Sequence, residues 1–363
     1  MKIIVIPDSF KGTIKASEAA AIIAAEAARV YPFAEISEYP IADGGEGTLD
    51  CFFKILGGRY IEKEVTGPNF KKITARYLEA GETAVVELAE AAGLPLANPR
   101  DPLNTTTYGV GELIGAALSS GAKRVILGMG GSATNDMGAG MAAALGVVFK
   151  DKDGRPFIPT GGTLSKIAKI ESLKNLNIMA LCDVKNPLTG ENGAAFVYAP
   201  QKGADKRAVL TLDDGLKHAN DILKNYGIDV SDVEGAGAAG GTGGGVLAFL
   251  GGELKRGIDT VLELIGFGKK ARTADLIVTG EGSLDRQSFY GKVIDGIISR
   301  SGGTTVVAIV GISKIQNHRD FGLAAVVETN YLHRPFEEIK PTAKEDLKAA
   351  AAKFFENLPE YLN

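Results

Sequence analysis

The chain opens on a continuous apolar run, Lys2 to Ile6. Its β-branched residues do not alternate with polar ones, so it reads as a parallel strand covered on both faces. Asp8-Ser9 and Gly12 lead into a segment with one apolar face, from about Ala16 to Val30, ended by Pro32; this predicts a helix. A second strand is expected over Ala34 to Tyr39. A second helix, Thr48 to Leu56, should follow the loop Ala42 to Gly47. Strand, loop and helix alternating in this way give the rhythm of an α/β protein.

From Gly58 the pattern shortens. Arg59 to Val65, Lys72 to Leu78 and Thr83 to Leu88 read as three short strands joined by tight turns, an antiparallel patch, so a domain boundary is expected near residue 60. A helix over Gly109 to Leu118 feeds a strand at Arg124 to Leu127. Strands are expected at Ile178 to Leu181 and Ala194 to Tyr198, then a long polar helix from about Asp205 to Tyr226. After the glycine-rich region 235–245 the first rhythm returns, with strands at Leu276 to Val278, Thr304 to Val310 and Ala324 to Val327 and a last helix from Ala343 to Phe355. Both ends of the chain thus build one α/β domain, and a second α/β domain is inserted between them.

Composition narrows the function. With 40 Lys and Arg against 44 Asp and Glu, there is no basic excess to collect a nucleic acid backbone. The apolar run Ala19 to Ala28 is broken by Glu26 and falls short of the roughly 20 residues a membrane span needs. Met1 to Asp8 lacks the length and cleavage site of a signal peptide, and Cys51 and Cys182 show no pairing pattern. A reducing, cytoplasmic location is expected. His218, His318 and His333 are scattered, so a histidine-rich zinc site has little to draw on. Glycine, at 47 of 363 residues, is well above its usual share of about 7% and lies in clusters between apolar runs.

Those clusters hold the candidate chemistry. Gly128 to Asp136 follows a strand and opens a helix of small residues. Its glycines suit an anion cradle; Ser132 and Thr134 add hydroxyls, and Asp136 is either a Mg²⁺ ligand or a helix cap. Gly235-Ala236-Gly237-Ala238-Ala239-Gly240 has dinucleotide-motif spacing but follows no clear strand; a ligand-facing helix start and close packing through small residues both fit it. No Walker A sequence occurs. Asp8, Asp43, Asp183 and Glu281 each stand just past an apolar run, where ligands of open α/β sheets bind. Hard oxygens suit Mg²⁺, and Lys11, Lys202 and Lys292 stand close by in sequence. Carboxylates, lysines and glycine loops without histidine are the parts of phosphoryl transfer.

Taken together, these segments resemble the class I glycerate kinase family. The resemblance spans essentially the whole chain and is carried by Pro7 to Gly12, Pro40 to Thr48, Gly130 to Asp136, Cys182 to Leu188, Pro200 to Ala204, Gly235 to Gly241 and Thr279 to Gly282. Met137-Gly138 departs from the Gly-Gly expected after Asn135-Asp136. The resemblance implies a flavodoxin- or Rossmann-like parallel-sheet domain split in sequence, 1–60 with 260–363, and an inserted mixed α/β domain, 61–259, with the active site in a cleft between them. It implies ATP- and Mg²⁺-dependent phosphorylation of D-glycerate, the 2-position favoured over the 3-position. Asp183, Asp43 and Lys11 are expected at the reacting groups. Asp8, Ser9, Lys11, Gly130, Gly131, Ser132, Asn135 and Asn186 are expected on the substrate. Gly237, Gly240, Gly241, Lys202 and Lys292 are expected on the nucleotide, and Glu281, Asp285 and Asp136 on the metal. An NAD(P)-dependent hydroxy-acid oxidoreductase and a non-catalytic hydroxy-acid binding protein are the alternatives. The sequence does not determine the oligomeric state.

Overall fold

A computed structural model describes residues 1–10, 12–41, 44–45, 47–289 and 293–362. The chain forms two compact units, Met1–Ala42 with Gly257–Asn363, and Asp43–Arg256. The first boundary falls well before residue 60. The helix Thr48–Leu56 buries Leu49 and Phe52 against the strands Lys72–Ala80 and Thr83–Glu87, and so goes with the inserted unit.

In the first unit, five strands form an all-parallel sheet in the spatial order Ala325–Glu328, Val306–Ser313, Leu276–Leu284, Lys2–Val5, Glu35–Glu38. Numbered along the chain, that is the 2-1-3-4-5 order of flavodoxin-like folds. The order in which the strands are laid down reverses between Lys2–Val5 and Leu276–Leu284. Helix Ala16–Val30 covers one face because Ala16, Ala19, Ala20, Ile23, Ala24 and Ala27 recur at helical spacing and are buried. Helix Ala343–Glu356 packs beside it through Leu347, Ala351, Phe354 and Phe355.

The second unit holds a six-stranded mixed sheet. Glu253–Lys255, Ile178–Leu181, Arg124–Gly128 and Thr83–Glu87 run parallel, and Lys72–Ala80 and Arg59–Thr66 complete it as the expected antiparallel patch. A separate three-stranded sheet of Pro156–Phe157, Val148–Lys150 and Lys169–Glu171 has no counterpart in the sequence reading, since strands of two or three residues are too short to display a period.

One element changes type. Ala194–Tyr198, expected as a strand, is a helix. Its alanines turn inward and Ala199 joins them one turn later, while Phe196 and Val197 face solvent; the segment packs on the helices Lys206–Lys224 and Ala238–Leu250. The Ala238–Leu250 segment is interrupted near its start by a kink of three successive left-handed residues, Ala239, Gly240 and Gly241.

Candidate active site

Parallel strands end on one edge of each sheet, where open α/β sheets bind their ligands. In the second unit, strand Arg124–Gly128 runs into the loop 129–138. Gly130 and Gly131 reach the surface; Ser132 to Asp136 turn inward and are buried.

Asp136 organises this loop. Its Oδ2 accepts hydrogen bonds from the Thr107 amide at 2.8 Å, the Thr107 hydroxyl at 2.8 Å and the Gly140 amide at 3.3 Å, while Oδ1 accepts from the Gly138 amide at 3.1 Å. Burial holds its carboxyl above the ordinary value, and these donors pull the other way. Both oxygens are thus taken up within the protein. Asp136 stands two residues before Gly138, which is the N-cap of helix Ala139–Ala144.

Lys202 closes the loop from behind. It ends the short helix Pro200–Lys202, is only 2% exposed, and donates to the Thr134 carbonyl at 2.6 Å and the Ser132 hydroxyl at 3.2 Å. Burial pushes its ammonium down to about 7, against the opposing charge of Asp136. A cation set behind a polar glycine loop gives that loop a positive potential, which suits an anion. Lys202, expected on the nucleotide, is buried behind the loop. Beside it, the Asn135 amide is wholly buried with no partner at either end. Buried amides in proteins are nearly always paired, so this one has capacity for a water molecule or a ligand group.

The anion cradle is narrower than the glycine count suggests. The Gly130, Ala133 and Thr134 amides donate to Gly44, Ala92 and Ser132 respectively. Gly237, Gly240 and Gly241, expected on the nucleotide, are closely packed. A Cβ on Gly237 would sit 2.1 Å from the Pro187 carbonyl oxygen, and one on Gly240 would sit 2.0 Å from that of Thr134. Gly241 faces Leu216 and Leu188, and its amide donates to Gly237. Gly240 also has φ +70°, so Gly240→Ala adds left-handed strain to the clash. We expect its yield of folded protein to collapse in expression at 25 °C; a soluble variant with the wild-type melting curve would show that the loop and helix can separate.

At the end of Ile178–Leu181, Asp183 is exposed. Asn186 is committed: its amide nitrogen donates to the Asn192 carbonyl and its oxygen accepts from the Tyr198 hydroxyl. The Cys182 thiol, pushed up to about 11 mainly by burial, is inert at neutral pH.

In the first unit, the Asp8 amide donates to the Gly280 carbonyl at 2.8 Å, which sets Asp8 and Ser9 beside Glu281 where the strand order reverses. Glu281 is buried within Leu276–Leu284, opposite Val310. Asp285 instead caps a turn: it accepts from the Gln287 amide, and its own amide donates to the Ser288 hydroxyl. Among the described residues no group of three His, Cys, Asp or Glu side chains gathers as a cage for a metal. Asp8 and Glu281 are the acids that the backbone bond from Asp8 to Gly280 brings to neighbouring positions in the sheet. Lys11, Asp43 and Lys292 lie outside the described residues.

The sequence reading missed Glu87. This buried acid ends Thr83–Glu87, and its Oε1 accepts from the Leu49 amide at 2.6 Å. At the end of a buried strand its charge was the available signal, since an acid there needs a partner.

Comparison with known proteins places these features in one family. The sequence model of the glycerate kinase family matches residues 3–358. The chain is 43% identical to a glycerate kinase of Bacillus cereus, covering 97% of this chain and 96% of that one. It is 42% identical to the glycerate 2-kinase of Escherichia coli, covering 86% and 85%. A crystal structure assigned to a glycerate kinase 2 of Salmonella typhimurium superposes with a TM-score of 0.86 at 37% identity, over 99% of this chain and 98% of that one.

Proposed function

The chain belongs to the glycerate kinase family, and from that premise we propose that it transfers the γ-phosphoryl group of ATP to D-glycerate, giving 2-phosphoglycerate and ADP. The hydroxyl oxygen forms the new bond to phosphorus, the bond to ADP breaks, and the hydroxyl proton passes to a carboxylate. Asp183 is the described acid we assign to that proton, because it is exposed at a strand end. It needs no raised pKa when the transition state is loose, since positioning and charge neutralisation then supply the rate.

The observation that carries this reading beyond family membership is the buried Lys202 behind the Gly130–Thr134 loop. The Lys202 ammonium there, when protonated, is suited together with the unpaired Asn135 amide to the carboxylate of glycerate or to transferring phosphate. Mg²⁺, held by Asp8 and Glu281, would neutralise phosphate charge when bound. The name of the Escherichia coli relative supports the 2-position.

Phosphorus NMR of the chain with MgATP and D-glycerate tests this. We expect a new phosphomonoester signal split by one proton, as a 2-phospho ester requires; splitting by two protons would move the reaction to the 3-position. No signal would reject the kinase. In the same assay Asp183→Asn should lower kcat by at least about a hundredfold, within the usual range for a lost general base; an unchanged kcat would remove Asp183 from the mechanism. A change in absorbance at 340 nm with NAD(P)H and a keto acid would favour the oxidoreductase instead.

A further inference from the structure

We propose that Glu87 is a positioning residue. It fixes the start of helix Thr48–Leu56 and so seats Gly44 and Gly45 across the ends of the strands Arg124–Gly128 and Ile178–Leu181. Its catalytic consequence rests on the phosphoryl-transfer reading above.

The argument begins with a missing cap. Helix Thr48–Leu56 starts from Gly47, which has φ +91° and no side chain, so its own N-cap residue cannot satisfy the first amides. Glu87 does this from a neighbouring strand, through its hydrogen bond to the Leu49 amide. It stands level with Gly128 in the sheet register, one strand from the glycine loop. The helix start is tied in turn to the loop before it. The Thr48 hydroxyl donates to the Gly45 carbonyl at 2.7 Å, and the Gly44 carbonyl accepts from the Gly130 amide at 2.7 Å.

The chain segments approach closely here. A Cβ on Gly130 would lie 2.4 Å from the Gly45 Cα, and one on Gly44 would lie 2.9 Å from the Leu181 carbonyl oxygen. A displacement of the helix start therefore passes directly to Gly130 and to the strand that carries Asp183.

Glu87 also makes this contact sensitive to protons. Its carboxyl is pushed up to about 7, first by burial and then by Glu90 on the helix Leu88–Ala92 and Asp50 on the helix it caps. The Leu49 amide and Arg76, on Lys72–Ala80, pull it down. Ionised Glu87 accepts more strongly from Leu49, so the loop is held more firmly above that pH than below it.

Two variants test the assignment. Glu87→Ala should lower kcat/KM for glycerate at least tenfold and speed amide hydrogen exchange at Gly44, Gly45 and Leu49. Glu87→Gln keeps an acceptor for Leu49 and should recover kcat/KM to within about threefold of the natural chain at pH 6. The ratio of the natural chain's kcat/KM to that of Glu87→Gln should then rise as a step near pH 7. Should the Ala variant fail to fold, the Gln ratio decides alone: a flat ratio overturns the proposal. Unchanged exchange at Leu49 in Glu87→Ala would overturn it as well. If the natural chain makes no phosphoglycerate, the functional reading fails, while the exchange comparison still judges the positioning role.

Discussion

Lys202→Met should lose about 10²- to 10³-fold in kcat, the range found when one electrostatic donor is removed from a preorganised site, and yet melt within a few degrees of the natural chain at pH 7. The two halves of this result have separate causes. Met retains the unbranched stem, so the volume behind the Gly130–Thr134 loop stays filled. Removing the ammonium leaves the Thr134 carbonyl and the Ser132 hydroxyl without their donor, at a cost of about 1–3 kcal/mol. It also relieves the desolvation of a wholly buried cation, which is of similar size and opposite sign. A lysine kept only for stability would give the reverse pattern, a large drop in melting temperature with kcat held. That outcome, or a kcat within threefold of the natural value, would rule out the role assigned to the charge.

The same substitution should change how stability depends on pH. In the unfolded chain Lys202 keeps its proton up to about its ordinary value of 10.5, while in the folded chain it releases it near 7. Between those values the unfolded state binds more protons, so the Lys202 contribution makes stability rise with pH, by roughly 1.4 kcal/mol per unit. Below pH 7 this contribution is flat. Thermal melts from pH 7 to 10 should show the natural chain gaining on Lys202→Met; parallel curves would mean that the ammonium stays charged in the fold.

What the sequence made legible follows from how each signal is encoded. The buried parallel strands, such as Lys2–Val5 and Ile178–Leu181, are dense apolar runs, and the helix Ala16–Val30 repeats small residues every three or four positions; both patterns are local. Ala194–Tyr198 misled because five residues cannot separate a period of two from one of 3.6, and the helices that cover its alanines are distant in sequence. The glycine loops were visible as loops, but their purpose was not. A glycine required because a carbonyl lies 2.0 Å from where a Cβ would be looks the same, in sequence, as one required to bind phosphate. Glu87 escaped notice for a related reason, since its partner is the Leu49 amide, a backbone group that no motif records.

Asp136→Asn distinguishes a loop organiser from a ligand to metal. The natural carboxylate faces four donors and no acceptor. An asparagine must turn its NH₂ group toward at least one of them, losing that bond and placing donor against donor. Turning it toward the Gly138 amide does the least harm, because Oδ1 serves one donor and Oδ2 serves three. Even so, a buried charge-assisted bond is lost and a donor is left unpaired, at a cost of about 2–4 kcal/mol. For a unit of this size that lowers the melting temperature by roughly 6–12 °C. The loss should be the same with and without Mg²⁺, because the affected groups are the amides of Thr107, Gly138 and Gly140 and the Thr107 hydroxyl. A variant whose melting temperature fell only in the presence of Mg²⁺ would return Asp136 to the metal. Thr107→Val should reproduce part of the effect, since it removes the hydroxyl that joins Asp136 to the Met141 amide while leaving the Thr107 backbone bond in place.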